Sequence, residues 1–175
     1  MPYLLKGDRR DAVRRQAPLA VGQDHSFFID KERCLHTCGI DEDGGYPHLL
    51  GHAVDPDTDP NVPREIGPPT LVPSMQERRI VCVASSAYHC LALSAEGEVF
   101  SWGNGDDGGL GHGDDISRNV PSRIESLSCI EHIAAGPYSK SAAVNVDGSL
   151  FTWGQARYTN ENDTERLNGL GYEID

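Results

Sequence analysis

Three stretches of this chain repeat one pattern. Residues 20–39 read AVGQDHSFFIDKERCLHTCG, residues 84–103 read ASSAYHCLALSAEGEVFSWG, and residues 134–154 read AAGPYSKSAAVNVDGSLFTWG. Each has a small-residue lead-in, a short apolar strand, a tight turn, a second strand and a closing Gly. Trp102 and Trp153 are 51 residues apart, and Cys38 stands 64 before Trp102. A unit recurring at this period is one supersecondary element stacked beside copies of itself. That constrains the fold first and moves the functional question from pockets to faces and loops.

The hairpin in each unit is legible. His89–Leu93 and Val99–Trp102 are strand-like, with Glu96-Gly97 between them, and Asp147-Gly148 holds the same place in the third unit. Acidic-Gly pairs favour a primed two-residue hairpin turn, because Gly takes positive φ without strain. The first unit has Lys31-Glu32-Arg33 there, a less specified turn. A Gly-rich exit follows each hairpin: Leu50-Gly51-His52, Leu110-Gly111-His112-Gly113 and Gly169-Leu170-Gly171-Tyr172. Apolar strands come next at Ile80–Ala84 and Ile130–Ala134, preceded by Pro69-x-x-Val72 and Pro121-x-x-Ile124. About four short strands per unit is the content of a propeller blade.

The expected fold is therefore all-β, three four-stranded antiparallel blades. The expected boundaries are a basic tail over 1–18, then blades over 19–79, 80–129 and 130–175. A Pro-rich insertion over 54–68 reads as a loop too rich in proline for a central strand. A second polar insertion covers 155–168.

Charge narrows the partners. The chain holds 15 Lys+Arg against 27 Asp+Glu, net −12. Residues 1–20 carry five basic and two acidic residues, leaving the body at −15. An acidic body repels phosphate backbones, so the repeats are not expected to bind nucleic acid directly. The basic opening reads as a solvated terminus. No segment approaches the roughly 18 apolar residues of a membrane span, and MPYLLKGDRR lacks the build of a signal peptide. Five cysteines, Cys34, Cys38, Cys82, Cys90 and Cys129, then read as thiols in a reducing compartment. The expected location is cytoplasmic or nuclear.

The repeated pattern is small-x-Gly-x-x-His, acidic-Gly, apolar-aromatic-x-Trp-Gly and Gly-x-Leu-Gly-His-Gly. It resembles the repeat of the regulator of chromosome condensation family. The second unit fits best, through His89, Gly97, Phe100, Trp102, Gly103 and Leu110-Gly111-His112-Gly113. The third keeps Gly136, Asp147-Gly148, Phe151, Trp153 and Gly154, and Ser139 reads as standing in the His place. The first keeps Gly22, His25, Gly39 and Leu50-Gly51-His52, with Cys38 for Trp. The resemblance covers about residues 19–175 and implies a section of a seven-bladed propeller. Three units cannot close that ring, and open blade faces are aggregation templates. The chain thus reads as a piece of a larger regulatory protein.

Candidate chemistry is sparse. Cys34, His36 and Cys38 alternate onto one strand face and imitate a zinc set. They align instead with inter-blade packing positions, and zinc needs a fourth ligand. Asp55, Asp57, Asp59 and Asn61 imitate half a calcium loop, but Pro60 and Ile66 stand where it needs Gly and Glu. No nucleophile–base set recurs and no phosphate loop is present. No cofactor, metal or covalent catalysis is expected.

The resemblance directs attention to the loops before the repeat His. In the founding family member this loop lies on the face that grips the small GTPase Ran, where acidic residues help expel nucleotide. Here the loops are Gln23-Asp24-His25, Ala87-Tyr88-His89 and Pro137-Tyr138-Ser139. Asp24 fits that pattern. Tyr88 and Tyr138 depart from it and favour a protein-contact surface. The candidate partner-binding residues are Asp24, His25, Tyr88, His89 and Tyr138. The expected function is a protein–protein interaction module, with guanine-nucleotide exchange on a Ran-like small GTPase as the alternative.

Overall fold

The computed structural model describes residues 18–41, 49–54 and 64–154. They form three antiparallel sheets and no α-helix. The first sheet orders β1 (Leu19–Val21), β2 (His25–Ile29), β3 (Leu35–Asp41) and β4 (Arg64–Leu71). The second orders β5 (Ile80–Ser85), β6 (His89–Ser94), β7 (Val99–Gly103) and β8 (Arg118–Arg123). The third holds β9 (Ile130–Ala135), β10 (Ser141–Asn145) and β11 (Leu150–Trp153). This is the all-β blade architecture expected, with three strands rather than four described in the last sheet. The strand β4 begins inside the stretch read as an insertion. It carries Pro68 and Pro69, which its edge position tolerates because one side of an edge strand needs no N–H donors.

Strand alternation decides what each blade presents to its neighbours. His25, Phe27 and Ile29 on β2 and Leu35 and Thr37 on β3 are buried, while Ser26, Phe28, His36 and Cys38 between them are half-buried. Phe27, Ile29 and Leu35 join Val83, Cys90, Ala92, Phe100 and Trp102 in a core between the first two sheets. Leu91, Leu93 and Val99, on the opposite face of the second sheet, join Ala143 and Trp153 in a second core. Trp102 is wholly buried, Phe100 and Trp153 nearly so. Phe151 is only half-buried, less than its repeat position predicts. Cys38 holds the ladder place of Trp102 and Trp153: it pairs Ser26 as they pair Cys90 and Ser141.

The hairpin turns differ from expectation. Gly97 N–H returns to Ser94 O, and Ser94 N–H reaches Glu98 O. Of the loop residues only Gly97 has positive φ, at 79°. This is a three-residue loop ending in a left-handed residue, whereas a primed turn needs positive φ at its first central residue. Gly148 (φ 90°) and Arg33 (φ 72°) occupy the same place in the other blades. A polar side chain caps each loop. Asp30 Oδ1 accepts from Cys34 N–H at 2.8 Å, and Ser94 Oγ accepts from the Glu96 and Glu98 amides, each at 3.2 Å. Asn145 Oδ1 accepts from Asp147 and Ser149 at 3.0 and 2.9 Å.

The turns also stitch blades together. Arg33 O accepts from Ile80 N–H at 3.0 Å and Gly97 O from Ile130 N–H at 3.1 Å, so each turn holds the start of the next blade. Charge adds to the entry of the second blade: Glu98 pairs with Arg78, in the connector from the first blade, at 3.0 Å and with Arg123, on β8 of its own blade, at 3.3 Å. The matching places at the second joint are Ser128 and Ser149.

Candidate functional site

The loops before β2, β6 and β10 lie at corresponding ends of adjacent sheets, since β1 neighbours β5 and β5 neighbours β9. Together with the exits from β3 and β7 they build one rim. The repeat histidines do not face outward there. His25 is 4% exposed and His89 not at all. His25 Nε2 lies 2.7 Å from Ser85 Oγ and 3.6 Å from Cys90 Sγ in the next blade. His89 Nε2 lies 2.7 Å from Ser141 Oγ in the third, and its Nδ1 is 3.0 Å from Ser86 Oγ. Each imidazole is a rivet between blades. Burial lowers the pKa of His89 to about 4. It does the same to His25, the Asp24 charge opposing only in part. Both rings are therefore neutral at pH 7, and as buried rivets they are out of a partner's reach.

The tryptophans add a second rivet. Trp102 Nε1–H donates to Leu49 O at 2.8 Å, and Trp153 Nε1–H to Gly109 O at 3.0 Å. Those carbonyls precede the Leu-Gly-His exits. Gly51 and Gly111 sit against the indoles with φ of 77° and 76°; a Cβ at Gly111 would come within 2.8 Å of Trp153 Nε1. The Leu-Gly-His signature is thus a seat for the next blade's indole. His112 Nε2 bonds Ser101 Oγ at 2.9 Å. Thr37 takes the Ser101 place in the first blade and bonds Ser26 O at 3.3 Å instead, and among the described residues buried His52 Nε2 has no hydrogen-bond partner.

The third loop corrects the sequence register. Gly136 N–H bonds Lys140 O, as Gly22 bonds His25 O and Ser86 bonds His89 O. Lys140 therefore holds the His place, and Ser139 matches Asp24 and Tyr88. Gly154 confirms it: its close backbone neighbour is Ser139 O, where Gly39 has Asp24 O and Gly103 has Tyr88 O. The loop is one residue longer, a difference visible in the 21-residue third repeat against 20 in the others. Tyr138 is the residue pushed out, 56% exposed. It and Ser139 have φ of 57° and 62°, a conformation few non-glycine residues adopt.

Of the five candidates, Asp24 and Tyr138 are exposed and Tyr88 half-buried on this rim. Acids accompany them. Asp106, Asp107 and Asp115 lie on the β7 exit with Ile116, which is 64% exposed. Asp114 is committed to Arg118 at 2.9 and 3.0 Å, a bond that holds its pKa down to about 2.

Metal and nucleophile readings find other occupations for their residues. His36 stacks on Phe28 with ring centroids 4.7 Å apart and bonds Asp30 Oδ2 at 2.8 Å. Among the described residues no cluster of three or more His, Cys, Asp or Glu is arranged to hold a metal. The calcium-like Asp55, Asp57, Asp59 and Asn61 lie outside the described residues. Burial raises the Cys82 thiol to about 11, and Cys90 is fully buried. Among the described residues no helix is long and apolar enough to cross a membrane.

Stacked antiparallel sheets riveted by His, Trp and Leu-Gly-His positions define a β-propeller repeat protein. The profile of the regulator of chromosome condensation (RCC1) repeat matches residues 96–142, and a second profile of that repeat matches 80–108. Residues 80–142 thus carry RCC1 repeats. The chain is 50% identical over 151 residues to the human E3 ubiquitin-protein ligase HERC2, covering 84% of this chain and 3% of that protein. It is 35% identical over 94 residues to the mouse regulator of chromosome condensation, covering 53% of this chain and 22% of that one. The structure of yeast RCC1 bound to Kap60 shares the fold, with a TM-score of 0.57 at 23% identity over 78% of this chain and 31% of that one. The chain thus spans a small part of the relatives it matches.

Proposed function

We propose that the chain is a protein–protein interaction module, a section of a larger regulatory propeller protein that binds a protein partner through the rim bearing Asp24, Tyr88 and Tyr138. One observation carries this reading: the third loop spends an extra residue and two left-handed non-glycine conformations to project Tyr138 into solvent. Strained backbone of this kind persists where the surrounding fold enforces it and clusters at functional sites, and exposed tyrosines are enriched among interface anchors. The 50% identity to part of a ubiquitin-protein ligase supports placement inside a larger regulatory protein. The partner of the yeast relative, Kap60, is itself a protein.

Among the described residues the repeat histidines His25 and His89 and the Cys90 thiol are consumed in packing, which fits a non-catalytic role. Location in the cytoplasm or nucleus fits this reading. The test is capture of cellular partners by the whole chain, compared with Tyr138→Ala, Asp24→Arg and a turn variant at the opposite rim, Glu96→Lys. Partners lost with the first two and kept with the third support the rim. Partners kept by all three refute it.

The second reading, nucleotide exchange on a Ran-like GTPase, draws on the 35% identity to the mouse regulator of chromosome condensation and on Asp24. Exchange requires tighter binding of the nucleotide-free GTPase over a rigid face, and three blades offer less than half of it. Release of a fluorescent nucleotide from the GTPase should not accelerate with this chain. Acceleration abolished by Asp24→Ala would favour exchange.

A further inference from the structure

Two large apolar side chains left in solvent, Ile116 and Tyr138, stand on either side of one acidic turn. That turn, Asp106–Gly108, lies on the β7 exit. Its entry rests on the Ile116 segment: Gly105 N–H bonds Ser117 Oγ at 3.0 Å, and a Cβ at Gly105 would collide with the Ile116 carbonyl. Its far end rests on the third loop: a Cβ at Gly109 would come within 2.7 Å of Ser139 Cβ, next to Tyr138. Close backbone approach at two glycines thus joins the three pieces, drawn from two blades, into one surface.

Asp106, Asp107 and Asp115 are exposed on it. Asp106 accepts from Asn104 Nδ2 at 3.2 Å, a neutral donor. Arg118 is taken by Asp114, so among the described residues none of the three acids has an ion-pair partner. Lys140, exposed beyond Ser139, answers at most one of them. Exposed apolar groups rimmed by unanswered charge mark an interaction surface, and its ligand carries the complementary pattern. A metal ion would leave Ile116 and Tyr138 in water. A purely apolar ligand would desolvate the carboxylates without pairing them. Arginine or lysine serves both needs, because the stem covers apolar surface while the head meets a carboxylate.

On the reading of the rim as an interaction face, we propose that the partner protein meets this surface with a basic segment, two Arg or Lys residues set between two apolar ones. The cationic heads meet Asp107 and Asp115. The flanking apolar side chains cover Ile116 and Tyr138. Charge steers the encounter and the apolar pair fixes the position along the turn.

The probe is a fluorescein-labelled peptide, Leu-Ser-Arg-Ser-Arg-Ser-Leu, whose alternation puts all four reading side chains on one side when extended. It is titrated onto the whole chain by anisotropy at low salt. Saturable binding is expected, weakening as salt rises. The double variant Asp107→Asn with Asp115→Asn should weaken it by about fivefold, and Ile116→Ser by a similar factor. Asn tolerates the left-handed conformation of Asp107, so the turn is kept. Glu96→Gln with Asp147→Asn removes the same charge from the exposed hairpin turns of the opposite rim and should change nothing. An equal loss there would mean attraction to the acidic body as a whole and would overturn the site. Absence of binding, or equal binding of the peptide with Glu for Arg, would also overturn it. If the peptide fails while Asp24→Arg still loses cellular partners, the rim stands and only the basic segment falls.

Discussion

Trp102 of the second blade donates its indole N–H to Leu49 O, 2.8 Å away, in the exit loop of the first. The same ring meets Phe27 edge-on at 5.4 Å. One side chain therefore closes the core between two sheets and pins the loop above it.

Truncating Trp102 to Ala should destabilise the chain by roughly 3–5 kcal/mol, the usual loss for a buried aromatic. Trp102→Phe keeps most of the apolar volume and removes the indole bond to Leu49 O, so a loss of about 1–2 kcal/mol is expected. Urea unfolding followed by circular dichroism measures both. A Trp102→Ala loss below that of Trp102→Phe would contradict the packing described.

Stability should fall as pH drops from about 6.5 toward 4. His25 and His89 titrate near 4 when folded and near 6.5 when free, so the unfolded chain binds more protons throughout that window. Each contributes up to about 3 kcal/mol, present above pH 6.5 and lost by pH 4. The decline begins above the carboxylate range, which separates it from general acid unfolding. Unfolding free energies at stepped pH should show it, and His89→Gln should flatten the slope.

The turn position shared by Arg33 and Gly97 should respond with opposite signs. Arg33→Gly relieves a left-handed arginine and should stabilise by about 1 kcal/mol. Gly97→Ala adds the same penalty and drives a Cβ to 3.0 Å from Cys129 Cα and Ile130 N. Thermal melts of the two variants should move apart, upward for Arg33→Gly and downward for Gly97→Ala.

Fold and rim were legible to different depths. Strand alternation and the Trp-Gly and Leu-Gly-His positions sufficed for the blades, because both report directly on which face is buried. The turn type is not legible, because Glu96-Gly97 suits a primed turn as well as the final two residues of a three-residue loop. Asp30, Ser94 and Asn145, which decide that geometry, precede each turn and are the residue types that cap one. His25 and His89 looked like rim residues because they border a loop. Their outward or inward sense depends on the pleat, and the first residue of a strand is where the pleat is hardest to phase. One inserted residue shifts the third loop without disturbing the strands around it, so sequence spacing puts Ser139 in the histidine's place where the fold puts Lys140.

Half of each joint consists of peptide groups: the Arg33 and Gly97 carbonyls hold the next blade whatever side chain the turn carries. Such a joint tolerates drift in the letters above it. Cysteine for tryptophan at 38 and lysine for histidine at 140 are changes a stack of this kind can absorb while its geometry persists. Rim sequences are then free to diversify from copy to copy, and related chains should differ most where they meet other molecules and least in how their blades adjoin.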